Sequence, residues 1–266
     1  MDDDDAAPPI LVTTTKIHFV DNWPDAARAC AAIKGRAVLG LDMELVAGGQ
    51  TTAIVQVAVS ADEAYVFDAL LLGQPLFDAC YLLPILVDPR ILKLCYDCRG
   101  DAETLFRNHG VRAYGLYDLQ MVFTSLFQSR ADPYLKGLRR AVQLLLPPDD
   151  ARAFVAAKTS MKRRFAAEDA DRQFATAEAC GGCVMSARPL SDETLLYCAK
   201  DAAMLLRMHD AWGGYVDKEE VVRATFGRAA RHIFRRAPDD ETARMMMHLI
   251  DFPRLCAPHC GAPVLF

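Results

Sequence analysis

A mixed α/β domain, with a central sheet of about five strands flanked by helices and a helical C-terminal extension, is the fold the sequence predicts. Two observations carry that expectation. Between residues 16 and 67 β-rich runs recur with short turns between them, and from residue 76 onward helix patterns alternate with one further strand. Beyond residue 118 every periodic stretch has helical spacing, which gives the extension.

Taken in order, Lys16 to Val20 (KIHFV) reads as a short strand. Asn22 followed by Pro24 starts a helix over Asp25 to Ile33. Arg36 to Leu45 is an apolar strand, Gly48 and Gly49 mark a hairpin turn, and Thr52 to Ser60 and Ala64 to Phe67 follow as strands, which together make an antiparallel meander. Leu76 to Leu83 is expected to be helical, Ile91 to Tyr96 (ILKLCY) a buried strand, and Asp101 to Asn108 a helix that stops near Gly110. The remainder reads as helices over Asp118 to Gln128, Tyr134 to Leu146, Asp149 to about Phe174, Asp192 to Trp212 and Lys218 to Arg236. In domain terms, residues 1–14 are an acidic, disordered leader, residues 15–213 the main domain with a charged insertion over about 147–188, and residues 214–266 a helical extension with a Cys/His tail.

Bulk composition excludes several classes. The 266 residues are 52% hydrophobic, enough for a full core, yet no apolar run reaches the roughly 20 residues that span a bilayer. MDDDDAAPPI is acidic where a secretory signal is basic, so an intracellular, cytoplasmic or nuclear, protein without a membrane partner is expected. Nine scattered cysteines suit a reducing compartment. A net charge of −5 argues against a protein that simply coats nucleic acid.

The chemistry gathers in VLGLDMEL at 38–45. Asp42 and Glu44 are separated by one residue, so on a strand they share a face. Two adjacent carboxylates at the end of a buried strand repel one another and resist desolvation, and a cation relieves both costs. Asp101 opens a helix in CYDCRGDAETL, where capping alone would explain it. Tyr197 and Asp201 lie four apart in LLYCAKDAAMLL, one face of a strongly apolar helix in which an unpaired Asp would be costly; Lys200 is the nearest conventional partner.

In this order and spacing the three stretches resemble the DEDD superfamily of 3′-to-5′ exonucleases in its tyrosine-containing (DEDDy) branch. That family carries D-x-E on its first long strand, a second Asp at a helix start and Y-x-x-x-D on a late helix, matched here by Asp42 and Glu44, Asp101, and Tyr197 with Asp201. Gln56, FDAL at 67–70, YDLQ at 117–120, LKGL at 135–138 and RPLSDETLLY at 188–197 agree with it, and the resemblance covers roughly residues 15–213. KLCYDCRGD and the long segment before RPL look more like the Egalitarian-like subgroup than like ribonuclease D or the Werner-type exonuclease, although Tyr96 stands where many relatives have His. The resemblance implies a ribonuclease H-like fold and hydrolysis with two Mg²⁺ or Mn²⁺ ions. Asp42 would bridge them, Glu44 and Asp201 would complete the first, Asp101 would hold the second, and Tyr197 would orient the attacking water. It further implies single-stranded nucleic acid as partner, RNA favoured over DNA, and nucleoside 5′-monophosphates as products. A non-catalytic RNA-binding adaptor and a DNA-repair exonuclease are the competing expectations.

Backbone contacts to the substrate are expected from Lys158, Lys162, Arg163 and Arg164 in the insertion and from Arg228, Arg231 and Arg235 at helical spacing further on. Met43, between the acids, is a weaker substrate candidate, since on a strand it points into the core. Cys180 and Cys183, with Cys256, His259 and Cys260, have the short spacings of zinc knuckles, so a structural Zn²⁺ is weighed against reduced thiols.

Overall fold

The structure, a computed structural model, describes residues 15–46, 51–127, 135–173 and 184–235, of which residues 162, 164–173 and 234 are described by their backbone alone. One mixed sheet holds β1 (Lys16–Val20), β2 (Val38–Leu45), β3 (Thr52–Ser60), β4 (Glu63–Asp68), β5 (Leu92–Cys95) and β6 (Leu116–Asp118), in the order β1-β4-β3-β2-β5-β6. β2, β3 and β4 form the expected antiparallel meander, while β1 joins β4, and β5 and β6 extend β2, in parallel. The six strands exceed the expected five by β6, three residues long and too short to show a period of its own. Asp118 accordingly ends a strand, and the helix expected from it starts one residue later.

Helices cover both faces. α1 (Trp23–Lys34) is capped by Asn22, whose side chain accepts from the Asp25 N–H, and buries Ala26, Ala29, Cys30 and Ile33 against Leu39, Leu41 and Met43 of β2. The single-turn helix α2 (Ala69–Leu72) follows β4, and the expected Leu76–Leu83 helix is replaced by a 3₁₀ turn over Gln74–Phe77 and the single-turn helix α3 (Leu83–Leu86), which Pro75 and Pro84 start separately from within their first turns. α4 (Arg99–His109) ends at Gly110, which adopts the left-handed conformation that closes a helix. On the opposite face lie α5 (Leu119–Phe127), α6 (Leu138–Leu145), α7 (Pro148–Gln173) and α8 (Asp192–Trp212), and α9 (Lys218–Arg235) packs on β6, α4 and α5. The charged 147–188 segment, expected as an insertion, contributes α7, which packs on α6 and α8. The acidic leader, the Gly48 and Gly49 turn and the Cys/His tail lie outside the described residues.

Two interactions set α8 against the sheet. Gly40 shares a face of β2 with Asp42 and Glu44, and a Cβ at Gly40 would stand 2.1 Å from the carbonyl oxygen of Ala202. The helix backbone therefore rests directly on the strand, with small residues Ala199, Ala202 and Ala203 buried at the contact. At the N-terminal end of α8, Arg188 forks onto Asp68 with Nε–Oδ2 at 2.5 Å and Nη2–Oδ1 at 2.6 Å, and Asp68 is fully buried. The FDAL and RPL stretches are thus two halves of one ion pair.

Gly40→Ala should lower stability by about 1–3 kcal/mol through overpacking, measured by urea unfolding. Gly35→Ala is the control, since a Cβ there meets nothing within 4 Å; equal effects of the two changes would contradict the close approach.

Candidate active site

β2 delivers Asp42 and Glu44 to the face on which α8 lies, and the approach at Gly40 brings Asp201 beside them. One carboxylate oxygen from each of Asp42, Glu44 and Asp201 falls within 4.8 Å of the others. Asp101 sits in the first turn of α4 and is not part of that closest set, but its charge acts on Asp42 and Glu44. Gln56, directly across from Asp42 on β3, is fully buried next to Cys198 of α8.

Burial, followed by the Asp201 charge, pushes the Asp42 carboxyl up to about 7. Glu44 lies well above the ordinary glutamate range through burial and then Asp42 and Asp201; Asp101 is raised by burial and then Asp42. Such a set is destabilised as charge accumulates unless a cation joins it. Hard oxygen donors at this spacing fit a hard divalent ion. Tyr197, one turn before Asp201, has its hydroxyl pushed far above the usual tyrosine range by burial and then by Asp201, so it stays protonated and can donate or orient but not act as a base.

One cation is already supplied by the chain. Lys158 of α7 donates to Asp201 Oδ2 at 2.7 Å, with side chains 13% and 3% exposed. Burial opposes its charge, but Asp201, Asp42 and Glu44 together hold its ammonium above the ordinary lysine range. A solvated phosphate track was expected of Lys158, and the structure buries it instead. Its position was readable: Ala151, Phe154, Lys158 and Met161 follow helical spacing, so the lysine falls on the inward stripe of α7.

Arg228 likewise leaves the expected track. Its side chain is 12% exposed and donates to Asp118 Oδ2 at 2.8 Å, Asp97 Oδ1 at 3.2 Å and Gln120 Oε1 at 2.6 Å. Thr225 Oγ1 accepts from the Asp118 N–H at 3.0 Å, and His232 hydrogen-bonds Glu103 of α4 at 3.0 Å. Asp97 holds φ at 61°, a left-handed conformation that Asp tolerates, and donates its N–H to Asp118 Oδ1 at 2.8 Å. α9 thereby braces the turn that leads into α4 and Asp101. Asp118 in YDLQ, Asp97 in CYDCRGD and Gly40 in VLGLDMEL are given no role of their own by the sequence, because their roles exist only through partners distant in the chain.

Arg163, Arg231 and Arg235 are exposed, whereas the side chains of Lys162 and Arg164 fall outside the described residues. Met43 is 6% exposed and packs in the core on the face away from the acids, the orientation its place between them on the strand implies. Cys180, Cys183, Cys256, His259 and Cys260 lie outside the described residues. A cleft of about 240 Å³ opens beside Asp42 and Asp201, bordered by Tyr96, Asp97, Gln120 and Lys158. A larger apolar groove of about 350 Å³ lies between α4 and α9, and none of the four acids lines it.

The mixed sheet thus gathers acids from its central strand, a flanking helix start and a crossing helix, and three of them could hold a metal ion. Residues 17–213 match the 3′-5′ exonuclease family, and the chain belongs to that family. It is 26% identical over 165 residues to ribonuclease D of Pseudomonas paraeruginosa, spanning 60% of this chain and 43% of that protein, less than half the relative's length. Among solved structures, RNase D of Trypanosoma brucei superposes with a TM-score of 0.66 at 24% identity, covering 83% of this chain and 74% of that one. Its complex with RNA U12 gives 0.65 at 24% identity, covering 83% and 72%. These likenesses establish the fold.

The raised carboxyls fix the sign of a pH dependence. Acids whose folded-state pKa lies above the unfolded value contribute stability below about pH 4 and lose it as pH rises through about 7. Metal-free protein should therefore show a falling urea midpoint from about pH 5 to about pH 8, and saturating Mg²⁺ should restore the midpoint at the higher pH. A midpoint that is flat without metal and insensitive to Mg²⁺ would contradict this electrostatic account.

Proposed function

We propose that this protein is a divalent-metal-dependent 3′-to-5′ exoribonuclease of the tyrosine-containing type, acting on single-stranded RNA and releasing nucleoside 5′-monophosphates. The observation that carries the reading is the convergence of the Asp42, Glu44 and Asp201 oxygens within 4.8 Å on the face of the sheet that the cleft opens to. Asp42, Glu44, Asp201 and, from α4, Asp101 would hold Mg²⁺ or Mn²⁺, which when bound lowers the pKa of water and offsets charge on the attacking and leaving oxygens. Tyr197, kept protonated, positions the attacking water. The Tyr96 hydroxyl, which donates to the Lys136 carbonyl at 2.8 Å, and Gln120, which donates to the same carbonyl at 3.0 Å, fix the opposite rim of the cleft. Exposed Arg163, Arg231 and Arg235 remain available to phosphates further along a strand. RNA is favoured over DNA because ribonuclease D proteins are among the relatives in sequence and in structure, one of them solved with RNA U12. The main domain of this reading is residues 15–213, with α9 as its C-terminal brace.

A second reading has one observation in its favour. Lys158 already neutralises Asp201, as it would in an RNA-binding adaptor that keeps the fold without the chemistry.

Incubation of the full chain with 5′-labelled single-stranded RNA, matched single-stranded DNA and duplexes separates these readings. The proposal expects Mn²⁺-dependent shortening of RNA from the 3′ end, a loss of at least about 10²-fold in Asp42→Ala, and about 10²-fold in Tyr197→Phe through misplaced water. RNA binding without metal-dependent shortening supports the adaptor, and faster shortening of DNA than RNA overturns the substrate assignment.

A further inference from the structure

We propose that Lys158 is an internal cation of the acid centre: its ammonium takes the place of a divalent ion at Asp201, so that metal entry and withdrawal of Lys158 on α7 form one equilibrium. The inference rests on the reading of the acids as a metal centre and adds a determinant of how tightly metal is held.

The ammonium sits in a built cage. Asp201 Oδ2 lies 2.7 Å from Nζ, the Tyr197 ring centroid 5.4 Å away and the Phe154 ring centroid 5.7 Å away. Phe154 and Met161, one turn before and after it on α7, are buried, so the lysine is delivered by a packed helix face rather than by a free surface side chain. Lys158 and Asp201 both border the cleft beside Asp42.

Charge and stoichiometry decide what that cage means. A structural ion pair needs one carboxyl group, whereas here three converge and Lys158 hydrogen-bonds only Asp201 among them. The centre thus gathers more hard oxygen donors than one ammonium uses, which suits a divalent ion. Yet an ion bound to Asp201 would lie within a few ångströms of the ammonium, where like charges in a desolvated site repel strongly. Lys158 therefore has to leave Asp201 as the ion arrives. Lysine suits this role better than arginine, because a point charge on a flexible stem disengages from one oxygen without breaking a planar fork.

Mn²⁺ titration of the full chain, followed by the electron paramagnetic resonance signal of free Mn²⁺ in the absence of nucleic acid, tests the exchange. Lys158→Met, which keeps the stem and drops the charge, should bind Mn²⁺ about tenfold more tightly than the wild type, and Lys158→Arg should bind no more tightly than the wild type. In the wild-type chain, hydrogen exchange of α7 around residues 151–161 should quicken on Mn²⁺ saturation, a readout that does not depend on any variant folding. Equal or weaker Mn²⁺ binding by Lys158→Met together with unchanged exchange in wild-type α7 overturns the proposal. Mn²⁺ binding tuned by Lys158 in a chain that shortens no RNA would instead retain this inference and sink the nuclease reading.

Discussion

The contact between the backbone of α8 and the glycine of β2 is the constraint on which the site depends. Asp201 reaches Asp42 and Glu44 because nothing stands between Ala202 and Gly40. The same face of the strand carries glycine, aspartate and glutamate at alternating positions, the first to admit the helix and the other two to meet it. The buried Asp68 and Arg188 pair anchors the start of the helix to the end of β4, so α8 is held at one end by charge and in its middle by close packing.

That packing concentrates negative charge where water is scarce, and the rest of the neighbourhood is arranged around the consequence. On one side Lys158 offers a counter-charge from α7. On the other, Arg228 and Thr225 of α9 organise Asp97, Asp118 and Gln120, a second group of polar residues that would be costly to bury without donors. α9 lies beyond the residues that match the exonuclease family, yet it braces the turn entering the helix of Asp101. The family domain and the C-terminal helix therefore share one polar core.

Much of this was legible in the residues. The meander, the late helices and the family are carried by patterns local to each stretch: the β-rich run of β3, the D-x-E spacing, the four-residue step from Tyr197 to Asp201. The two prolines at 75 and 84 were equally local and still misread, because an apolar run between them has helical length. Arg228 and Lys158 looked like members of basic tracks, since sequence shows charge but not the carboxylate that a distant element brings to it. The Egalitarian-like affinity rests on the KLCYDCRGD stretch and the long segment before RPL, whereas ribonuclease D proteins are among the matches in both sequence and structure.

The central claim is that Asp42, Glu44 and Asp201 form a metal centre in which Lys158 is the resident cation. Crystals of the full chain grown without chelator and soaked in Mn²⁺ test it through the anomalous signal of the ion. The account predicts a peak within coordination distance of Asp42 and Glu44, with the Lys158 ammonium moved off the 2.7 Å contact to Asp201. A map with no peak among these carboxylates and Lys158 still bonded to Asp201 would contradict it.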